Sequence, residues 1–188
     1  MTATAATASA PVTTVTIPTV TTPRLTLRAP GPQDVAAVAA FYASDRSAFV
    51  GGPKDADGAW RQLGTEIGHW TLRGYGRWMV EVTDTGETAG MVGLWNPVGW
   101  PEPEVGWDLF DGHTGRGYAT EAAIAARDYA FATVGLPTLI SLVAPGNDAS
   151  AAVAARMGAA MDGEITHPTL GHLHIWRHPA PGSGEAAQ

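Results

Sequence analysis

The segment Glu104-Val-Gly-Trp-Asp-Leu-Phe-Asp-Gly-His-Thr-Gly-Arg-Gly-Tyr-Ala-Thr-Glu121 decides how this chain is read. It runs from a strand, Glu104–Phe110, through a glycine-rich turn into a helix beginning near Tyr118. Gly115 and Gly117 carry no Cβ, so the backbone can turn sharply there and approach a ligand closely. The first helical amides, Tyr118 to Thr120, have no partner within the helix and lie at the positive end of its dipole. That arrangement suits a phosphate or pyrophosphate. Arg116 adds a positive charge there or extends into solvent. A GxG before a helix also occurs as a plain tight turn, so the segment alone leaves both readings open. It is not a Walker loop, because no Gly-Lys-Ser/Thr follows, and it lacks the third glycine of a dinucleotide fingerprint.

Working outward, Leu25–Arg28 alternates as a half-buried strand does, and Pro30-Gly-Pro32 ends it. Gln33 or Asp34 can then cap a helix carrying Val35, Val38, Ala39 and Tyr42 at helical spacing. A second helix is expected over Asp57–Leu72, with Trp60, Leu63, Ile67 and Trp70 on one face and the two tryptophans in the core. Strands Arg77–Thr83 and Thr88–Trp95 flank the turn Asp84-Thr-Gly86. Asn96–Pro103 is a loop, because its prolines would interrupt a central ladder. Beyond the deciding segment come a helix over Tyr118–Val134 and an apolar strand over Thr138–Ala144. A helix over Asn147–Met157, closed by Gly158, precedes two last strands, Ala160–Thr166 and His172–Arg177. The order β, α, α, β, β, β, α, β, α, β, β describes an α/β fold, a mixed sheet in one layer with helices on its faces.

The 188 residues suit one domain, taken as residues 23–178. Residues 1–22, rich in Ala and Thr, read as a flexible tail that can add an edge strand near Val12–Ile17, and residues 179–188 read as a second tail. Threonines interrupt every apolar stretch at the start, so neither a secretory signal nor a membrane span is expected, and the cytoplasm is the default location. The chain has no cysteine, which excludes disulfides, thiolate metal sites and a cysteinyl acyl intermediate. A net charge of −7 without a basic run argues against nucleic acid as a ligand.

Gly115-Arg-Gly-Tyr-Ala-Thr-Glu-Ala122, following Glu104-Val-Gly-Trp107, resembles the acetyl-CoA signature of the GNAT N-acetyltransferase superfamily. More narrowly, it is similar to the branch that holds the ribosomal-protein N-terminal acetyltransferases. Thr22-Pro-Arg-Leu-Thr-Leu-Arg28, Pro145-Gly-Asn-Asp-Ala-Ser150 and Arg156-Met-Gly158 resemble other segments of that branch in the same order, so the likeness covers roughly Thr22 to Arg177. It implies a mostly antiparallel sheet with a splay between the fourth and fifth core strands and helices on both faces. It also implies acetyl-CoA as co-substrate, no metal, and transfer of an acetyl group to a primary amine. Amides of Gly115, Gly117, Tyr118, Ala119 and Thr120 would hold the pyrophosphate, with Arg116 beside them. The strand carrying Val105, Trp107 and Leu109 would pair with the pantetheine arm, and Asn147 would bond that arm beyond the splay. Thr114 departs from the Gln or Arg of the family pattern. A homodimer is compatible with the family.

Direct transfer requires a neutral amine, a polarised thioester carbonyl and a proton for the departing thiolate. An amine of pKa about 10 is mostly protonated at neutral pH, so a base must take a proton. Glu104 is the first candidate, and Asp108 lies four residues along on the same strand face. Many members of the superfamily use a tyrosine as general acid. No tyrosine follows Tyr129 here, and Ser150 is the substitute, its other reading being a helix-start serine bonded only to backbone. Trp95, Trp100 and Trp107 line the acceptor pocket or seal the core beneath the loop. Arg46 and Ser47 fall where the branch has an acceptor-side loop. His172 and His174 share a strand face and could bind a metal with His167 or His178, but no carboxylate is spaced to complete the set, so no metal is expected. Two rival functions remain: a non-catalytic acyl-CoA-binding module, and a metal-dependent hydrolase using these histidines.

Overall fold

A computed structural model describes residues 15–180. Eight strands form one sheet: β1 (Val20–Thr21), β2 (Leu25–Arg28), β3 (Arg77–Val82), β4 (Thr88–Trp95), β5 (Glu104–Leu109), β6 (Ile140–Val143), β7 (Ala160–His167) and β8 (Gly171–Arg177). Their order is β1-β2-β3-β4-β5-β6-β8-β7, antiparallel throughout except between β5 and β6. The helices are α1 (Val35–Ala43), α2 (Ala56–Arg73), α3 (Tyr118–Tyr129) and α4 (Asp148–Arg156). None of the described helices is long and apolar enough to cross a membrane.

The central strands are buried on both faces, so their sequences run nearly continuously apolar. Met79 and Met91 sit opposite each other and pack with Val38, Phe41, Tyr42 and Leu63 of α1 and α2. Their strand neighbours Trp78, Val80 and Val92 point the other way, into the cluster with Ala122, Ala123, Ala126 and Ala130. Those four alanines are fully buried, and small side chains let α3 lie close to the sheet. This placement brings the N-terminus of α3 against the end of β5.

Helix α3 is a crossover between the parallel strands β5 and β6, which pair only at Glu104 and Ile140. Beyond that pair the strands splay, as the family resemblance implies. Two side chains occupy the opening: Leu142 N donates to Glu104 Oε1 (3.0 Å), and Ser141 Oγ donates to Val105 O (2.6 Å). Buried amides and carbonyls require partners, so the gap is held open without unpaired backbone at its apex.

Several expectations need correction. Trp60 and Ile67 are 62% and 39% exposed, so neither belongs to the core. Helix α2 is rolled so that Ala59, Leu63, Glu66 and Trp70 face inward, because Glu66 must reach Arg77. The edge strand among the described residues is Val20–Thr21; of the expected Val12–Ile17, residues 15–17 form no strand and residues 12–14 lie outside the described residues. Within the stretch expected as a tail, Val15, Ile17 and Val20 pack on the core and Trp78 Nε1 donates to Pro18 O (2.7 Å). Residues 1–14 and 181–188 lie outside the described residues. The last turn of the long helix, Ala130–Val134, widens into a π-type turn that Gly135 ends.

Candidate active site

Two cavities meet at the splay. The larger, of about 1010 Å³, runs from the glycine turn and α3 to α4. The smaller, of about 330 Å³, lies on the far side of β5. Trp107, Asp108, Asn147 and Ser150 belong to both walls, as do Phe49 and Val50. A ligand in one cavity therefore meets a ligand in the other at this point of β5 and α4.

In the larger cavity, Gly115 and Gly117 adopt φ of +75° and +81°, and nothing lies within 4 Å of where a Cβ would stand on Gly115. Among the described residues, the amides of Gly115, Gly117, Tyr118, Ala119 and Thr120 donate to no protein acceptor. A concave run of free N–H groups at a helix N-terminus fits a pyrophosphate. Arg116 does not line this cavity; its side chain is exposed and its carbonyl accepts from Arg24 Nη1 (3.0 Å). The arginine on the cavity wall is Arg24 instead, stacked 4.9 Å above the Tyr118 ring. Glu121 fixes it, accepting from the Thr22 hydroxyl (2.6 Å), Arg24 N and Arg24 Nε. Burial raises the Glu121 carboxyl, but these bonds outweigh it and hold the group below its ordinary value. Thr22 and Arg24 are nearly a hundred residues from Glu121, which is why sequence reading missed the clasp.

Glu104 lines the smaller cavity and is 8% exposed. Burial pushes its pKa up, bonds from Leu142 N and Trp100 Nε1 (2.8 Å) limit the rise, and it settles at about 7. Trp100, Trp95 and Trp107 all line this cavity; Trp95 stacks on His69 and Trp100 packs against His167 (4.8 Å in both pairs). Asp108 is also on the wall, but it is bound to Arg77 Nη2 at 2.6 Å. Arg77 lies 3.5 Å from Glu66 on its other side and donates to Met91 O (2.9 Å). One buried guanidinium thus joins two buried carboxylates beneath the pocket. The sequence signal for it was the helical spacing of Glu66 from Leu63 and Trp70.

Ser150 Oγ accepts from Trp107 Nε1 (3.3 Å) and makes no backbone bond, leaving its proton uncommitted among the described residues. Asn147 caps α4 through Oδ1, which accepts from Ser150 N (3.2 Å), and among the described residues its Nδ2 has no protein partner. Val105 is fully buried and its carbonyl already accepts from Ser141, so the free edge of β5 begins after it. Trp107 continues that edge on the wall of the larger cavity, and Leu109 follows with its carbonyl already engaged. Arg46 reaches Leu109 O (3.1 Å) and lines the larger cavity, not the smaller. Ser47 cannot contact an acceptor: it is fully buried and its hydroxyl is bound to Tyr42 O and Ser44 O inside a 3₁₀ segment, Asp45–Val50. Ser141 is likewise committed, between Val105 O and His178 Nε2 (2.9 Å). Burial, with Arg127 nearby, lowers His178 to about 4 and keeps it neutral.

Two cavities that share a wall across a splayed parallel pair suit a transfer between two bound partners. The chain belongs to the Acetyltransferase (GNAT) domain family, whose model matches residues 24–160. It is similar to the solved structure of an acetyltransferase from Agrobacterium tumefaciens, with 42% identity, a TM-score of 0.81, and 91% of this chain and 99% of that one covered. It is 35% identical over 102 residues to the uncharacterized protein YkkB of Bacillus subtilis; the match takes 48% of this chain and spans 56% of that curated relative. Spermidine N-acetyltransferase from Vibrio cholerae, solved with CoA and spermine, shares the fold at 19% identity and a TM-score of 0.66, with 82% and 93% of the two chains covered.

Proposed function

We propose that this protein transfers an acetyl group from acetyl-CoA to a primary amine by direct attack. The observation that carries the reading is Glu104, a buried carboxyl of pKa about 7 on the acceptor-side wall where the two cavities meet. A base poised near neutral pH is the type that removes an ammonium proton, directly or through one water. In this reading Glu104 takes the amine proton and Ser150 gives its hydroxyl proton to the departing thiolate. Amides of Gly115, Gly117, Tyr118, Ala119 and Thr120 hold the pyrophosphate, and the edge through Trp107 and Leu109 pairs with the pantetheine arm. Asn147 Nδ2 is a further donor toward that arm. The reaction needs no metal.

Trp95 and Trp100 shape the acceptor pocket, and Asp108 with Glu66 keeps it electronegative toward a cation. The acceptor is a protein N-terminus or a small-molecule amine. The ribosomal-protein branch resembled by the sequence supports the first, and the spermine-bound relative supports the second. A non-catalytic acyl-CoA-binding module is the second reading, favoured by the absence of a tyrosine after Tyr129.

Cofactor binding is tested by thermal unfolding. Acetyl-CoA at about a hundred times its dissociation constant adds roughly 2.7 kcal/mol and raises Tm by several degrees, while NAD does not. Gly117→Val abolishes the acetyl-CoA shift, because a β-branched residue at φ +81° is strained and crowds the cradle. An equal shift in that variant would remove the turn from the cofactor site.

A further inference from the structure

We propose that Glu164, His172 and His174 form a binding site for a borderline divalent ion of the zinc class on the β7–β8 hairpin, apart from the acetyl-transfer cleft. His172 and His174 are alternate residues of β8, so their imidazoles leave the same face. Sequence spacing places no carboxylate to complete the set, but the fold supplies one. Strand β7 runs antiparallel to β8 with a register shift between Met161 and Glu164, and Glu164 stands opposite His174. Its two oxygens lie 3.3 Å from His172 Nε2 and 3.6 Å from His174 Nε2. The rings stand edge to face, 5.7 Å apart, and the three ligand atoms all lie within 4.8 Å of one another.

Zinc bonds of about 2.0–2.2 Å in tetrahedral array separate neighbouring ligand atoms by about 3.3 Å. The 3.3 Å between Glu164 Oε2 and His172 Nε2 already matches, and small side-chain rotations bring His174 Nε2, now 3.6 Å from the other oxygen, into the same array. The donor set of two imidazoles and one carboxylate suits Zn²⁺, Ni²⁺ or Cu²⁺ better than Mg²⁺ or Ca²⁺. Three protein ligands leave one position for water. None of the three residues lines either cavity, and His167 and His178 stand elsewhere, in the acceptor pocket and against Ser141. An ion held here ties β7 to β8, whose connecting residues Thr169 and Leu170 border the acceptor pocket.

The test is isothermal titration of the untagged full chain with zinc chloride in a non-chelating buffer. One ion per chain is expected to bind saturably. The H172A/H174A variant loses at least about tenfold in affinity, and Glu164→Gln loses a measurable part of it. All three residues are partly exposed, so the metal-free unfolding midpoints of the variants match the wild type. No saturable binding by the wild type, or an unchanged isotherm in the double variant, overturns the site. An unchanged Glu164→Gln isotherm overturns the three-ligand assignment.

Discussion

Glu104→Gln is expected to lower kcat by roughly 10²–10⁴-fold and to remove the acidic limb of the pH profile, because it deletes the proposed general base without altering side-chain volume. In the wild type, kcat/KM climbs as pH rises toward about 7, where the Glu104 proton is lost, and then flattens on this limb. Stability moves the opposite way, which separates lost chemistry from lost folding. The folded-state pKa of Glu104 stands above the unfolded value of 4.5 through burial. Its contribution is therefore fully present below the unfolded pKa and is lost as pH rises through about 7. Between pH 5 and pH 8 the wild type should lose roughly 2–3 kcal/mol that the variant keeps. Gln retains only one acceptor oxygen, so Leu142 N or Trp100 Nε1 loses its partner at a cost of about 1–3 kcal/mol. That cost is independent of pH, so the change in the difference from pH 5 to pH 8 is the quantity to read. Activity within threefold of wild type, with the acidic limb intact, would assign the base elsewhere.

Arg77→Met destabilises the fold by about 3–5 kcal/mol, a fall in Tm of roughly 6–20 °C. Burial opposes the charge on Arg77, but Asp108 and Glu66 outweigh it and hold its pKa above the ordinary value. Burial raises Glu66 in turn, and Arg77 draws it back. Removing the guanidinium leaves two buried carboxylates facing each other and frees Met91 O. The combined Glu66→Gln, Arg77→Met, Asp108→Asn variant recovers much of the loss, since no unpaired charge remains. Urea unfolding of the single and triple variants measures both. A single variant within 1 kcal/mol of wild type would show that the network carries little of the fold.

What could be read from the chain follows the range of the interactions. The strand, glycine turn and helix start of Glu104–Glu121 are local, and they lie where periodicity and glycine spacing put them. Leu25–Arg28, the β3–β4 hairpin and the helix that starts at Asn147 are local in the same sense. The failures are tertiary. The roll of α2 answers to Arg77 on another element, so apolar spacing alone put Trp60 and Ile67 inside. The Glu121 clasp joins segments far apart in sequence. Ser47, placed by family position on the acceptor side, is consumed by the turn that carries it. Arg24 takes the place expected of Arg116, because the turn points Arg116 outward and the clasp brings Arg24 in. Glu164 reaches the histidines only through strand pairing.

Amine-dependent release of coenzyme A thiol tests the central claim most directly, and the chain's lack of cysteine leaves no protein thiol background. The wild type with acetyl-CoA and a panel of primary amines and N-terminal peptides should release thiol and form acetylated amine in equal amounts, both lost in Glu104→Gln. Saturable acetyl-CoA binding with no release for any amine would contradict the transferase reading and leave a binding module.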